Sequence, residues 1–198
     1  MESLRDVDCA PGSARSRRVQ QVMQDCSESR AGTLMLTTSI AHTLTRLFSE
    51  LVDGAHERDG AFMLNSGDIG LLRSLDALPP AAASRSVNGG ATIAAHAQHL
   101  RYGLSLMNRW AAEGGNPFAD AKWDEAWKTT GVDANEWQEI RGGLRDAAQR
   151  WTQALGSPRD VSEVELAGMI ASIAHLAYHL GAIRQIDKDL RGPREGTF

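Results

Sequence analysis

The chain has 198 residues, of which 42% are hydrophobic, and this is enough for one domain with a substantial core but too short for two ordinary domains. Its formal net charge of −4 argues against nucleic acid as a partner, since phosphate binding requires a basic surface. No apolar run reaches about 18 residues without a polar interruption, and no secretory signal precedes the domain, so we expect a cytoplasmic protein with no membrane partner.

Residues 1–29 are rich in serine and contain Pro11 and Gly12, and this composition predicts a flexible N-terminal tail. Cys9 and Cys26 lie in this polar segment, at a spacing that fits neither a metal-binding CxxC motif nor a disulfide framework. We expect the domain to span residues 30–192 and a short C-terminal tail to span 193–198.

The first long helix is predicted from about residue 33 to residue 52, where apolar residues recur at the helical period: Leu36, Ile40, Leu44, Leu47 and Leu51. Gly54 is the expected helix stop. Residues 55–91 form a long connection, in which Asp68 is predicted to cap a short helix that Pro79 ends. We expect this connection to cover one end of the helical domain.

The second long helix is predicted to start after the N-cap residue Thr92 and to run to about Ala112. His96 and His99 both fall on its inward half, so the helical period alone does not choose between them as functional residues. A short helical turn is expected around Trp123 and Trp127, whose indoles should be buried against the domain.

Two capping boxes mark the starts of the remaining long helices. Asp133 with Glu136 begins the third, and Ser162 with Glu165 begins the fourth, which is predicted to end near Leu190. Four long amphipathic helices, no strand pattern and one long first connection predict an all-α fold, a four-helix bundle.

His175 and His179 are four residues apart in the fourth helix, so their side chains share one face with Cβ atoms about 6 Å apart. Burying several imidazoles costs free energy unless each has a partner, and a shared cation satisfies all of them. Three inward histidines with a vacant fourth position are typical of a catalytic zinc site, and nickel and ferrous iron also accept imidazole. His42 lies outside the apolar stripe and His56 in a loop, so neither is expected to be a ligand.

These segments carry a resemblance to a known family. HLAYHLGAI, residues 175–183, resembles the HxxxHxGQI signature of the DinB/YfiT-like superfamily, and TIAAHAQHL, residues 92–100, resembles the helix of that superfamily that carries a single ligand histidine. The resemblance covers roughly residues 33–190. It implies a DinB-like four-helix bundle with a long first crossover.

Carried over residue by residue, the resemblance implies metal ligation by His99, His175 and His179. Ala182 departs from the signature, where glutamine is common, and this bears on the contacts that orient the ligands. His96 is an addition to the pattern. It stays open as an alternative ligand or as a partner that orients a ligand.

The superfamily includes bacillithiol S-transferases and mycothiol-dependent isomerases. The resemblance therefore implies a metal-dependent enzyme that uses a low-molecular-weight thiol, such as mycothiol or bacillithiol, on a small-molecule substrate. Leu106, Trp110 and Tyr178 are the expected cavity wall. The alternative is a non-catalytic stress-response or binding bundle with a structural metal or none. The oligomeric state is open, with a homodimer as one alternative.

Overall fold

The computed structural model describes residues 33–35, 37–55 and 60–194. The predicted N-terminal tail with its two cysteines, Leu36 and His56 lie outside this part of the chain. Within it are two short strands, β1 (Thr33–Met35) and β2 (Asp160–Ser162), and seven α-helices. The helices are α1 (Thr38–Asp53), α2 (Gly70–Asp76), α3 (Pro80–Ala83), α4 (Ile93–Glu113), α5 (Trp123–Ala126), α6 (Ala134–Gly156) and α7 (Glu163–Ile186). The predicted all-α class is confirmed.

The four long helices α1, α4, α6 and α7 form the core. Both α1 and α4 pack against both α6 and α7, and α2 packs against α1 and α6. The largest side chains in the core include Trp137 and Trp151, which are almost completely buried. The Trp137 indole donates to the carbonyl of Leu78 and the Trp151 indole to the hydroxyl of Ser172, both at 2.9 Å. These two hydrogen bonds avoid the cost of burying an unpaired donor.

The predicted starts of the later helices are confirmed, and they fix the positions of the histidines along α4 and α7. The Thr92 side chain accepts from the backbone N–H of Ala95 at the start of α4. At the start of α7, Ser162 and Glu165 cap each other's backbone N–H groups reciprocally. A cap of this kind contributes about 1 kcal/mol to helix stability.

The predicted start of the first helix was wrong. Residues 33–35 form β1, which pairs antiparallel with β2 so that Leu34 lies opposite Val161. The helix α1 begins at Thr38, with the Thr37 side chain accepting from the N–H of Ile40. Apolar spacing over a few residues cannot reveal a strand whose partner lies far along the chain. The buried stripe is also shifted, because Ile40 is exposed and the inward positions are Ala41, Leu44, Phe48 and Leu51.

The first long connection contains two short helices where one was predicted. Asp68 does not occupy the N-cap position of α2, although its Oδ1 atom accepts from the N–H of Gly70 at 2.8 Å. Pro80 starts α3 as its first residue. A proline is tolerated there because the first N–H groups of a helix have no partner within the helix. The prolines therefore begin a new turn as well as ending the preceding helix.

The helix α7 is apolar around most of its circumference. It ends at Ile186, before the predicted end near Leu190, and a 3₁₀ turn, Lys188–Leu190, follows it. By length and composition alone it could cross a membrane, with a mean hydropathy of 1.5 over its most apolar 18 residues, of which 44% are buried in the protein. A core helix of a soluble protein passes the same test.

Candidate metal centre

Three imidazoles from two helices converge on one point. His99 lies on α4, and His175 and His179 lie on α7. One ring nitrogen from each lies within 4.8 Å of the other two. The Nε2 atom of His175 is 2.8 Å from Nε2 of His179 and 3.2 Å from Nε2 of His99. His99 and His179 are buried and His175 is half-buried, so the cluster is at the edge of the core.

Hydrogen bonds among the three rings cannot pair all of the converging ring nitrogens. A neutral imidazole has one N–H donor and one nitrogen with a single lone pair. The Nε2 atom of His175 faces two other Nε2 atoms, so it can donate one good hydrogen bond or accept one, but not pair fully with both. A cation bound by all three lone pairs resolves this conflict. The described residues therefore contain a group that can hold a metal ion.

His96 contacts His179 at the ring nitrogen that is not part of the cluster. Its Nδ1 atom lies 2.8 Å from Nδ1 of His179, the nitrogen that points away from the three converging Nε2 atoms. The structure thus groups His99, and not His96, with the two histidines of α7. When Nε2 of His179 binds a cation, Nδ1 carries the proton and donates to His96. Such a bond fixes the tautomer and the orientation of a metal ligand.

Burial keeps the cluster neutral. It lowers the pKa of His96 and of His175. Burial, followed by the charge of neighbouring histidines, lowers the pKa of His99 to about 4 and that of His179 to about 2. At neutral pH all four rings are therefore in the neutral form, in which one ring nitrogen has a free lone pair, and this is the state that metal binding requires.

Aromatic side chains form the mouth of the site. The Trp127 ring stacks on His99 with centroids 4.3 Å apart, and Trp123 lies 5.5 Å from the same ring. Tyr178 lies edge-on to His179 at 5.0 Å. The prediction of buried indoles was wrong for Trp127, which is 36% exposed, and Tyr178 is 70% exposed. These side chains connect the histidines to the surface.

The other two residues of the predicted wall, Leu106 and Trp110, both lie on α4. Leu106 is buried on α4. Trp110 is eleven residues beyond His99, about 16 Å along the helix axis, and packs against Phe118. Of the two aromatic residues in the predicted wall, Tyr178 therefore contacts a site histidine, whereas Trp110 contacts Phe118. The sequence analysis interpreted Trp123 and Trp127 as packing against the domain. Their spacing of four residues and their position after the helix that carries His99 were the available signal for placing them beside the site.

Comparison with known proteins gives no match: no family model, no curated protein and no solved structure resembles the chain significantly.

The lowered pKa values predict how the stability of the metal-free protein depends on pH. The histidines bind protons more readily in the unfolded chain, where the pKa is 6.5, than in the fold. Stability should therefore be fully present above about pH 6.5 and decrease as the pH falls towards 4. Denaturant unfolding of chelator-treated protein measures this slope. The His99→Phe variant should have a shallower slope and His42→Ala, at an exposed position, an unchanged one. Equal slopes for all three proteins would contradict the prediction.

Proposed function

We propose that the chain is a DinB/YfiT-like four-helix bundle that binds a divalent metal through His99, His175 and His179 and acts as a metal-dependent enzyme of thiol-transfer type. The observation that carries the proposal is the convergence of three neutral imidazole nitrogens beside a partly exposed aromatic mouth. A structural zinc site is usually closed and contains thiolates, whereas three histidines leave a coordination position for a substrate.

The order of the elements supports the family assignment. Four long helices occur in the described residues, with a long connection between the first and the second. The second of them carries one histidine of the cluster and the fourth carries two, four residues apart. This is the distribution that the DinB-like resemblance implies.

The residues fit a divalent cation. Two zinc ligands at about 2.0–2.1 Å from a tetrahedral ion are about 3.3 Å apart, close to the observed Nε2 separations of 2.8 and 3.2 Å. Zinc suits three imidazoles, and nickel or iron are alternatives. When bound, such a cation favours the thiolate form of a thiol beside it, and the thiolate is the nucleophilic form.

The residues around the three histidines orient a ligand and hold the reactants in place. With the proton of His179 on Nδ1, this N–H donates to Nδ1 of His96, and the Nε2 lone pair of His179 is then directed at the cluster. Trp127 and Tyr178 flank the opening and offer flat apolar faces on which a planar electrophile can lie. Holding the two reactants together supplies much of the rate of such a reaction, because the entropy of bringing them together is lost on binding.

The test is a conjugation assay with metal-loaded protein, a panel of low-molecular-weight thiols that includes mycothiol and bacillithiol, and a chlorinated dinitrobenzene. The sulfur–carbon bond forms, chloride leaves and the thiol proton is released to solvent. We expect a rate that depends on metal and is lost in His179→Ala but retained in His42→Ala, whose position on α1 is exposed. If no thiol gives a metal-dependent rate and the chelated protein unfolds, the metal is structural and the enzymatic proposal fails.

A further inference from the structure

The last part of the connection between α4 and α6 lies against the histidines and is anchored at both of its ends. We call residues 124–131 the flap. Just before it, the backbone N–H of Lys122 donates to Oη of Tyr102, on α4, at 2.8 Å. Just after it, the N–H of Val132 donates to Oγ of Ser84, at the end of α3, at 3.0 Å. The residues between these two anchors are held only by their own contacts.

The flap has few attachments to the rest of the protein. Ala126 is its one buried residue, and the others are half-buried or exposed. Within the described part of the chain, a single hydrogen bond connects the flap to another element: Oγ1 of Thr92 donates to the carbonyl of Thr129 at 3.2 Å. Segments with few buried contacts and few hydrogen bonds open at a low cost in free energy, and the lids of binding sites are such segments.

Trp127 is the flap side chain that covers the histidines. Its ring stacks on His99 with an angle of 24° between the ring planes. It also lies edge-on to His96 at 5.3 Å and tilted to His179 at 5.7 Å between centroids. His99 and His179 are only 7% and 1% exposed. One aromatic side chain on a weakly attached segment therefore shields these rings from solvent.

We infer that the flap is a lid that opens and closes over the histidine cluster. Trp127 is its cover, and the hydrogen bond from Thr92 to Thr129 is its latch. Opening exposes the ring of His99 to molecules in solution, whereas His175 is half-buried even when the flap is closed. Such a lid controls how molecules enter a site and leave it. The inference requires the histidine cluster but neither the proposed metal nor the proposed thiol chemistry.

The first test is labelling of the metal-free full chain with diethyl pyrocarbonate, which modifies accessible neutral imidazoles. Peptide mass spectrometry reads the labelling rate at His99, and exposed His42 in the same protein is the internal reference. Trp127→Ala removes the cover and should raise the rate at His99 at least about tenfold relative to His42. An unchanged rate would show that Trp127 does not cover the cluster and would overturn the inference.

A pair of variants at Thr92 distinguishes a lid that moves from a cover that is fixed. Thr92 also caps α4 by accepting the N–H of Ala95. Asp is an equally good N-cap but, when ionised, has no hydrogen to donate to the carbonyl of Thr129, whereas Ser keeps both interactions. Thr92→Asp should therefore raise labelling of His99 about fivefold, the effect of losing one ordinary hydrogen bond from the closed form, and Thr92→Ser should not. Equal rates in the two variants overturn the inference.

A second measurement detects the motion without altering the latch. In metal-free protein labelled with 5-fluorotryptophan, the fluorine resonances of Trp127 and Trp137 are each assigned by replacement with Phe. Lids open on timescales of microseconds and longer, so relaxation dispersion should show exchange at Trp127. Trp137 is 1% exposed in the core and should show none. A Trp127 resonance as free of exchange as that of Trp137 would contradict a moving lid.

Discussion

The His179→Ala variant is expected to bind zinc at least about 100-fold more weakly than the parent protein, or not at all at micromolar metal. His179 contributes one of the three converging nitrogens and contacts both His175 and His96. Loss of a partner that merely orients a ligand typically costs about 10- to 100-fold in metal affinity, and loss of a ligand should cost more. Calorimetric titration of chelator-treated protein measures the affinity and the stoichiometry, expected to be one ion per chain.

Two matched histidine variants make this result specific. His96→Ala removes the hydrogen bond to Nδ1 of His179 and the ring contact with Trp127 but none of the three converging nitrogens, so it should keep one ion per chain with an affinity reduced about 10- to 100-fold. His42→Ala changes an exposed side chain and should have no effect. Full metal content in His179→Ala would place the metal elsewhere. A complete loss in His96→Ala with an intact site in His99→Ala would make His96 the ligand.

The Asp68→Ala variant is expected to lose about 3–5 kcal/mol of unfolding free energy. The Asp68 carboxylate is 2% exposed and pairs with the Arg184 guanidinium at 2.7 Å, which connects the first long connection to α7. It also accepts the N–H of Gly70. Removing one partner of a buried ion pair leaves the other charge uncompensated, and this is the cause of the large loss. Denaturant unfolding of metal-free protein measures it.

The control is an ion pair of similar geometry at the surface. Asp76 is about 40% exposed and pairs with Arg145 at 2.6 Å and with Arg141 at 3.3 Å. Asp76→Ala should cost less than about 1 kcal/mol, because solvent screens the interaction. Replacing Asp68 by Ala and Arg184 by Leu together should cost less than the sum of the single changes. Equal losses for Asp68→Ala and Asp76→Ala would show that burial does not determine how much the Asp68–Arg184 pair contributes to the free energy of unfolding.

The helices of the domain were largely predictable, because the signals that start and stop them are local. Thr92, Asp133 and Ser162 cap helices as their sequence positions indicate, and Gly54 follows the end of α1. The strand at residues 33–35 was not predictable, since its hydrogen-bonding partner is β2, far along the chain.

The candidate site also has one part that the sequence could predict and another that it could not. The pairing of His175 with His179 follows from their spacing on one helix. Which histidine of α4 joins them depends on the rotation of α4 against α7, a property of packing that a single sequence does not contain. The stack of Trp127 on His99 depends on the path of the loop after α4, which has no periodic signal. For that reason the aromatic mouth was interpreted as buried packing.

The pairing of β1 with β2 also has a consequence for the order of folding. The three-residue ladder joins residues 33–35 to residues 160–162, so its formation closes a loop that contains most of the domain. Closing a flexible loop of this length costs about 4 kcal/mol of chain entropy, more than so short a ladder can offset by itself. The ladder therefore forms only after the helices between its strands have packed. Its amide hydrogens should accordingly exchange with solvent before those of α4 and α6.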